Sequence, residues 1–354
     1  LYVAGELRHE RYPTFSLLDQ PRMNYRPLRD MLADEGITAG STVGTAGWKY
    51  YSEREMPDPA HALEIPAYLA DLLRALAGSR AAVTNATDLF MHPDYGLRAK
   101  CSAAEIAYLE YAGARAGEGM KRMLLGLREG MTDFALAELM GYTGEPFNCH
   151  VTLATGANRD RGLGGPTGEV LRRGETLGTN VAYWGSNVCR AGWLADGPAD
   201  LPAAAQDYVD AFAGPYFAAV GEWFRLFTIG TPGGALQRVI DELLPFEKFG
   251  ILLNPGHLIH MDEWLSSPIT PGSTIPLQSG MAMQVDIIPS SPVYFSTRIE
   301  DGMILADAAL RRALQADYPE AYARCRARRR FMIDTLGLEV SEDVLPVSNI
   351  PGIV

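Results

Sequence analysis

The 354-residue chain carries a formal charge of −12, which excludes a nucleic-acid backbone as partner, because phosphate recognition needs a concentrated basic surface. Its 47% apolar and 21% charged residues are those of an ordinary globular protein, and no apolar run approaches the roughly 20 residues of a membrane helix, so no membrane partner is expected. The length predicts two domains. Cys101, Cys149, Cys189 and Cys325 form no CxxC pair and no regular spacing, so a reducing, cytoplasmic setting is expected rather than a disulfide framework or a zinc knuckle.

Residues 8–36 read as a loop broken by Pro13 and Pro21, then a helix over 25–35 ended by Gly36. A strand over 42–48, a helix over 65–76 and a strand over 81–84 follow, and this alternation predicts a small α/β domain spanning residues 1–97. Residues 98–354 form the second domain. It opens on a capping box, Ser102 with Glu105, and a long helix whose apolar face is Ile106, Leu109, Gly113, Ala116, Met120, Met123 and Leu127. Gly130 reads as its C-terminal glycine, and Thr132 as the cap of the next helix.

A strand is expected over 149–155, a glycine-rich loop over 157–168, and a hairpin of 176–183 with 187–191. Helices are expected over 203–227 and 234–244, and two more close the chain over 306–336. The basic run Arg324, Arg326, Arg328, Arg329 and Arg330 reads as a solvated helix face.

Between the last helices lie NPGHLIHMDEW, SGMAMQVDIIP and STRIED, three apolar strand-like segments that each carry one ionisable group: His257, Asp286 and Glu300. Such groups are costly to bury singly, so three of them predict a shared pocket. Arg298 falls on the same strand face as Glu300, placed to pair that glutamate or to clamp a substrate carboxylate. His260, Asp262 and Glu263 read as a polar edge after the first strand, with one of them open as pocket lining. His150 and His260 are further imidazoles suited to acid/base work near neutral pH.

Taken in order, Lys100-x-x-x-x-Glu105-Ile106, Glu129-Gly130-Met131-Thr132, Gly156-Ala157-Asn158, Pro255-Gly256-His257, Leu277-x-x-Gly280-Met281 and Arg298-Ile299-Glu300-Asp301 resemble the creatinase/aminopeptidase P/prolidase superfamily. The resemblance implies a pita-bread α+β domain with a curved antiparallel sheet behind the small α/β domain, and a homodimer. In metal-dependent members five ligands, Asp, Asp, His, Glu and Glu in chain order, bridge two divalent ions. The last three fall on His257, Asp286 and Glu300. The second falls on Asn187 of Ser186-Asn187-Val188-Cys189-Arg190, and the first within 176–180, on Asn180 or Thr179. A two-metal centre is therefore not expected; the site holds either no metal or one divalent ion on His257, Asp286 and Glu300.

Creatinase is the precedent for C–N hydrolysis with an incomplete ligand set. The implied activity is hydrolysis of a C–N bond in a small amide, amidine or short peptide, with His257, Asp286 and Glu300 catalytic and Asn187, Asn180, Arg298, His260 and His150 contacting substrate. The alternative is an inactive domain of this fold used as a ligand- or protein-binding module.

Overall fold

A proline sets the start of the first described helix. Pro27 locks its own φ at −56° and precedes α1 (Leu28–Asp34), so the helix starts later than its periodicity suggests. The computed structural model describes residues 10, 12 and 26–354; the expected loop at Pro13 and Pro21 lies outside them. Contacts divide the chain between Met91 and His92.

In the first unit, β1 (Val43–Thr45) and β2 (Val83–Asn85) pair in parallel, which requires the crossover helix α2 (Ala67–Ala77) between them. Leu73, Ala77 and Val83 form its core, with Leu32, Val43 and Ile65 packed against them. The short α3 (Asp88–Met91) ends it.

The second unit opens on α4 (Ala103–Gly126), whose capping box is formed at both ends: Glu105 N donates to the Ser102 hydroxyl and Ser102 N to the Glu105 carboxylate. Its face of Ala112, Ala116, Met120 and Met123 packs on Val181, Tyr183 and Val188 of the sheet. The helix ends at Gly126. Gly130 lies beyond, in a turn with φ +86° whose N–H donates to Leu171 O, and α5 (Asp133–Glu138) starts at the Thr132 cap as expected.

The sheet is built from β3 (Leu153–Thr155), β4 (Thr176–Tyr183), β5 (Ser186–Trp193), β6 (His257–Leu258), β7 (Ala282–Ile287), β8 (Arg298–Leu305) and β9 (Val344–Pro346). Its order is β3-β4-β5-β8-β7-β6, with β9 added on β8, antiparallel at every junction, and it is curled. β3 is shorter than expected because the Asn180 side chain, not a ladder carbonyl, takes the Thr152 N–H. β9 was not expected.

The helix expected over 203–227 is broken. A 3-10 turn at Ala203–Ala205 and a π-helix at Val209–Ala213 precede α6 (Gly214–Leu226); Pro215 has no N–H to donate one turn back, and the wider turn accommodates its ring. α7 (Gly233–Leu243) and α8 (Phe246–Phe249) follow, and α9 (Ala308–Asp317) and α10 (Pro319–Asp334) close the unit.

The basic run on α10 is a solvated face only in part: Arg324 and Arg330 are exposed, while Arg328 is buried. Arg324 and Arg328, one turn apart, both point at Glu110 of α4, which is fully buried; Arg324 reaches its Oε2 at 2.5 Å and Arg328 its Oε1 at 2.6 Å. Arg328 also donates to Asn349 Oδ1, and Arg329 donates to the carbonyls of Val340 and Ser341. Buried charges persist only when paired. Glu110→Ala leaves the buried Arg328 guanidinium without its carboxylate, and urea denaturation is expected to show a loss of about 3–5 kcal/mol.

Candidate functional site

Strand register gathers the ionisable groups before any side chain is considered. Cys189 is paired with Asn180 and with Glu300, Glu300 with Asp286, and Gln284 with His257. Directly opposed residues share a face, and so do residues two apart on one strand. Asn187, His257, Asp286, Arg298 and Glu300 therefore all rise from the same side of the sheet.

His257 is delivered there by a backbone that only glycine takes easily. Gly256 has φ +137°, and a Cβ on it would stand 2.7 Å from Gln284 O, so the chain runs hard against β7 just before the histidine. Its carbonyl is held by the Ser267 hydroxyl at 2.7 Å.

His257 Nδ1 lies 3.1 Å from Leu258 O. A carbonyl can only accept, so Nδ1 carries the hydrogen and the Nε2 lone pair faces the pocket. Around Nε2 stand Asp286 Oδ2 at 3.6 Å, Glu300 Oε1 at 3.8 Å and Glu263 Oε1 at 3.8 Å. The Asn187 amide nitrogen donates to Glu263 Oε1 at 3.1 Å and to Glu300 Oε2 at 3.0 Å.

Glu263 is the member the sequence pattern left on a polar edge. It is 2% exposed. The chain doubles back after β6, with Leu258 N donating to Ser266 O and Leu265 N to Leu258 O, and this reversal returns Glu263 to the histidine it follows. The one available signal was an acidic residue crowded into an apolar segment.

The other expected residues are placed as follows. Asn180 spends its side-chain oxygen on the Thr152 N–H. His260 Nε2 lies 3.3 Å from Glu105 Oε1, outside the carboxylate group. His150 is exposed and its Nε2 donates to Leu163 O at 2.7 Å. Arg298 makes long contacts only, 3.8 Å to Cys189 Sγ and 3.5 Å to the Ser296 hydroxyl, and its Nε has no partner among the described residues.

Burial pushes the Glu263 carboxyl up to about 10, and the neighbouring charge of Glu300 adds to the shift. Burial likewise raises Glu300 to about 8, aided by Asp286, while the Asn187 amide and Arg298 pull it back. Asp286 is raised by burial against the pull of His257 and Arg298. His257 Nε2, Asp286 Oδ1, Glu300 Oε1 and Glu263 Oε2 are buried without hydrogen-bond partners among the described residues, so the pocket presents lone pairs that protons or a cation would satisfy.

The residues present fit one metal ion. His257, Asp286 and Glu300 each offer a ligand atom within 4.8 Å of the others, an imidazole and two carboxylates of the kind divalent ions take. A five-ligand two-ion set does not fit. The residues expected at its early positions are Asn187, which presents nitrogen to the pocket, and Asn180 or Thr179, both engaged by the Thr152 backbone.

These carboxylates carry protons in the folded chain that an unfolded glutamate, with a pKa of about 4.3, releases. Stability contributed here is greatest below that value and falls as pH rises through about 8 for Glu300 and about 10 for Glu263. Thermal unfolding in EDTA is expected to show Glu263→Gln losing less stability than wild type between about pH 5 and pH 9; parallel profiles would count against the raised carboxyls.

No family model and no curated protein sequence matches the chain. Solved structures do match: the Xaa-Pro dipeptidase from Bacillus anthracis, with TM-score 0.60 at 15% identity over 79% of this chain and 73% of that one. The prolidase from Pyrococcus horikoshii OT3 gives 0.63 at 14% identity, covering 80% of this chain and 76% of that one. The X-Pro aminopeptidase from Thermotoga maritima MSB8 gives 0.58 at 18% identity, covering 79% and 74%. Identity this low speaks for fold alone, and the fold the chain shares with these structures is the pita-bread fold.

Proposed function

We propose that this chain is a hydrolase of C–N bonds in short peptides or small amides, acting through His257, Asp286 and Glu300. The observation that carries the reading is the convergence of the His257 Nε2 lone pair and three buried carboxylates on one face. A pocket without chemistry has no reason to keep such groups together against the cost of burying them. The structural neighbours named for Xaa-Pro dipeptides and X-Pro peptides support the substrate class.

In this reading His257, Asp286 and Glu300 hold one divalent ion, which when bound supplies Lewis acidity and an activated water. Glu263, whose carboxyl burial holds above the ordinary range, stands 3.8 Å from His257 Nε2, placed to pass a proton to a leaving nitrogen seated there. Asn187 orients Glu263 and Glu300 through its two N–H groups. Arg298, a guanidinium with no carboxylate of its own among the described residues, receives an anionic end of the substrate. A cytoplasmic homodimer belongs to the same proposal, supported by four unpaired thiols and by the family resemblance. Among the described residues, no helix is long and apolar enough to cross a membrane.

Hydrolysis of Xaa-Pro dipeptides and simple amides, assayed with Mn2+ or Zn2+ and with EDTA, tests the proposal. Turnover is expected with added ion and is expected to drop by more than about 100-fold in His257→Ala, since even outer partners of a metal site cost 10–100-fold. No turnover by wild type in any condition, together with retained dipeptide binding, would instead establish a binding module. Arg298→Met is expected to raise KM about tenfold or more for a dipeptide with a free carboxylate, and far less for its amide.

A further inference from the structure

We propose that the Asn187 amide stands in for a second cation between Glu263 and Glu300, so that this pocket binds one divalent ion per chain and binds two when Asn187 becomes aspartate. The inference rests on the single-ion reading of His257, Asp286 and Glu300 and extends it to residues outside that ligand group.

The Asn187 nitrogen donates one hydrogen to Glu263 at 3.1 Å and the other to Glu300 at 3.0 Å. All three side chains are buried, with Asn187 and Glu300 4% exposed and Glu263 2%. Glu263 and Glu300 face each other in a dry pocket, where even one negative charge on the pair needs partial positive charge beside it, and an NH2 group with both hydrogens directed outward offers it there. The opposite rotamer would aim the amide oxygen at the carboxyl oxygens of Glu263 and Glu300 and leave the ionised one without its donor, so the nitrogen faces them. In that orientation position 187 offers the space no ligand atom, because an amide nitrogen does not bind divalent ions and Oδ1 is turned away from both carboxylates, without a partner.

Glu263 is held in this place from behind. Its segment is tied by Arg98 to Asp262 at 2.7 Å and by His260 to Glu105 at 3.3 Å; Glu105 lies in the first turn of α4 and Arg98 in the turn ahead of that helix. The carboxylate missing at position 187 thus has a counterpart supplied by a different segment. The pocket still contains three carboxylates and one imidazole, with the amide seated where a second ion would balance them.

Metal content by plasma mass spectrometry and titration calorimetry with Mn2+, on chains first stripped with EDTA, test this. One Mn2+ per chain is expected for wild type and for Glu263→Gln, which keeps His257, Asp286 and Glu300. Two are expected for Asn187→Asp, and one again for Asn187→Asp combined with Glu263→Gln. Asn187→Ala removes the donor without adding charge, and is expected to take up a second Mn2+ more weakly; it keeps the test open should the aspartate variant fail to fold. Two ions in wild type, or a single ion in both position-187 variants, would overturn the proposal. No ion in wild type would instead sink the single-ion reading itself.

Discussion

Like charges buried together must be offset, and in this chain that constraint organises a large part of the second unit. Glu263, Asp286 and Glu300 stand within 4 Å of one imidazole nitrogen, deep enough that burial alone raises all three carboxyls. The protein answers with an amide on one side, a guanidinium on the other and a histidine whose tautomer leaves a lone pair in the middle. None of these supplies a full neutralising charge in direct contact. The pocket is thus left with a standing affinity for protons or for a cation, and its chemistry follows from that deficit.

The scaffold keeps the deficit from relaxing. Antiparallel register locks Asp286 opposite Glu300 and Glu300 opposite Cys189, and a slip of one residue would turn each of these side chains to the other face. Behind the sheet, Gly113 and Gly117 let residues 347–349 lie against α4, where a Cβ on Gly113 would meet Val347 O at 2.7 Å. That same segment is drawn in by Arg328 through Asn349 and by Arg190, which donates to Ile350 O while pairing with buried Asp301. Asp301 follows Glu300 on β8 and points to the opposite face. One strand therefore carries a paired charge that anchors the chain terminus and an underpaired one that faces the pocket.

Much of this was legible in the residues. The capping box at Ser102 and Glu105, the Thr132 cap, the hairpin and the three charged segments depend on local rules of spacing and capping, and local rules survive in any tertiary setting. The ordered motifs likewise pointed to the fold that the solved peptidase structures share. Elements whose form depends on distant partners were less readable. The helix over 203–227 gave way to a π-turn ahead of Pro215, β9 formed because β8 had an open edge for it, and Arg328 of α10 turned inward because Glu110 lies beneath it.

The site divides along the same line. Period-two alternation, the cost of burying charge and the family resemblance together singled out His257, Asp286, Glu300 and Arg298 from sequence, because each lies in an apolar run where a charge requires a reason. Glu263 and the grip of Asn187 were decided by tertiary structure. Glu263 reaches the pocket through a chain reversal after β6, and Asn187 meets Glu300 across residues more than a hundred positions apart, so no pattern along the chain records either contact.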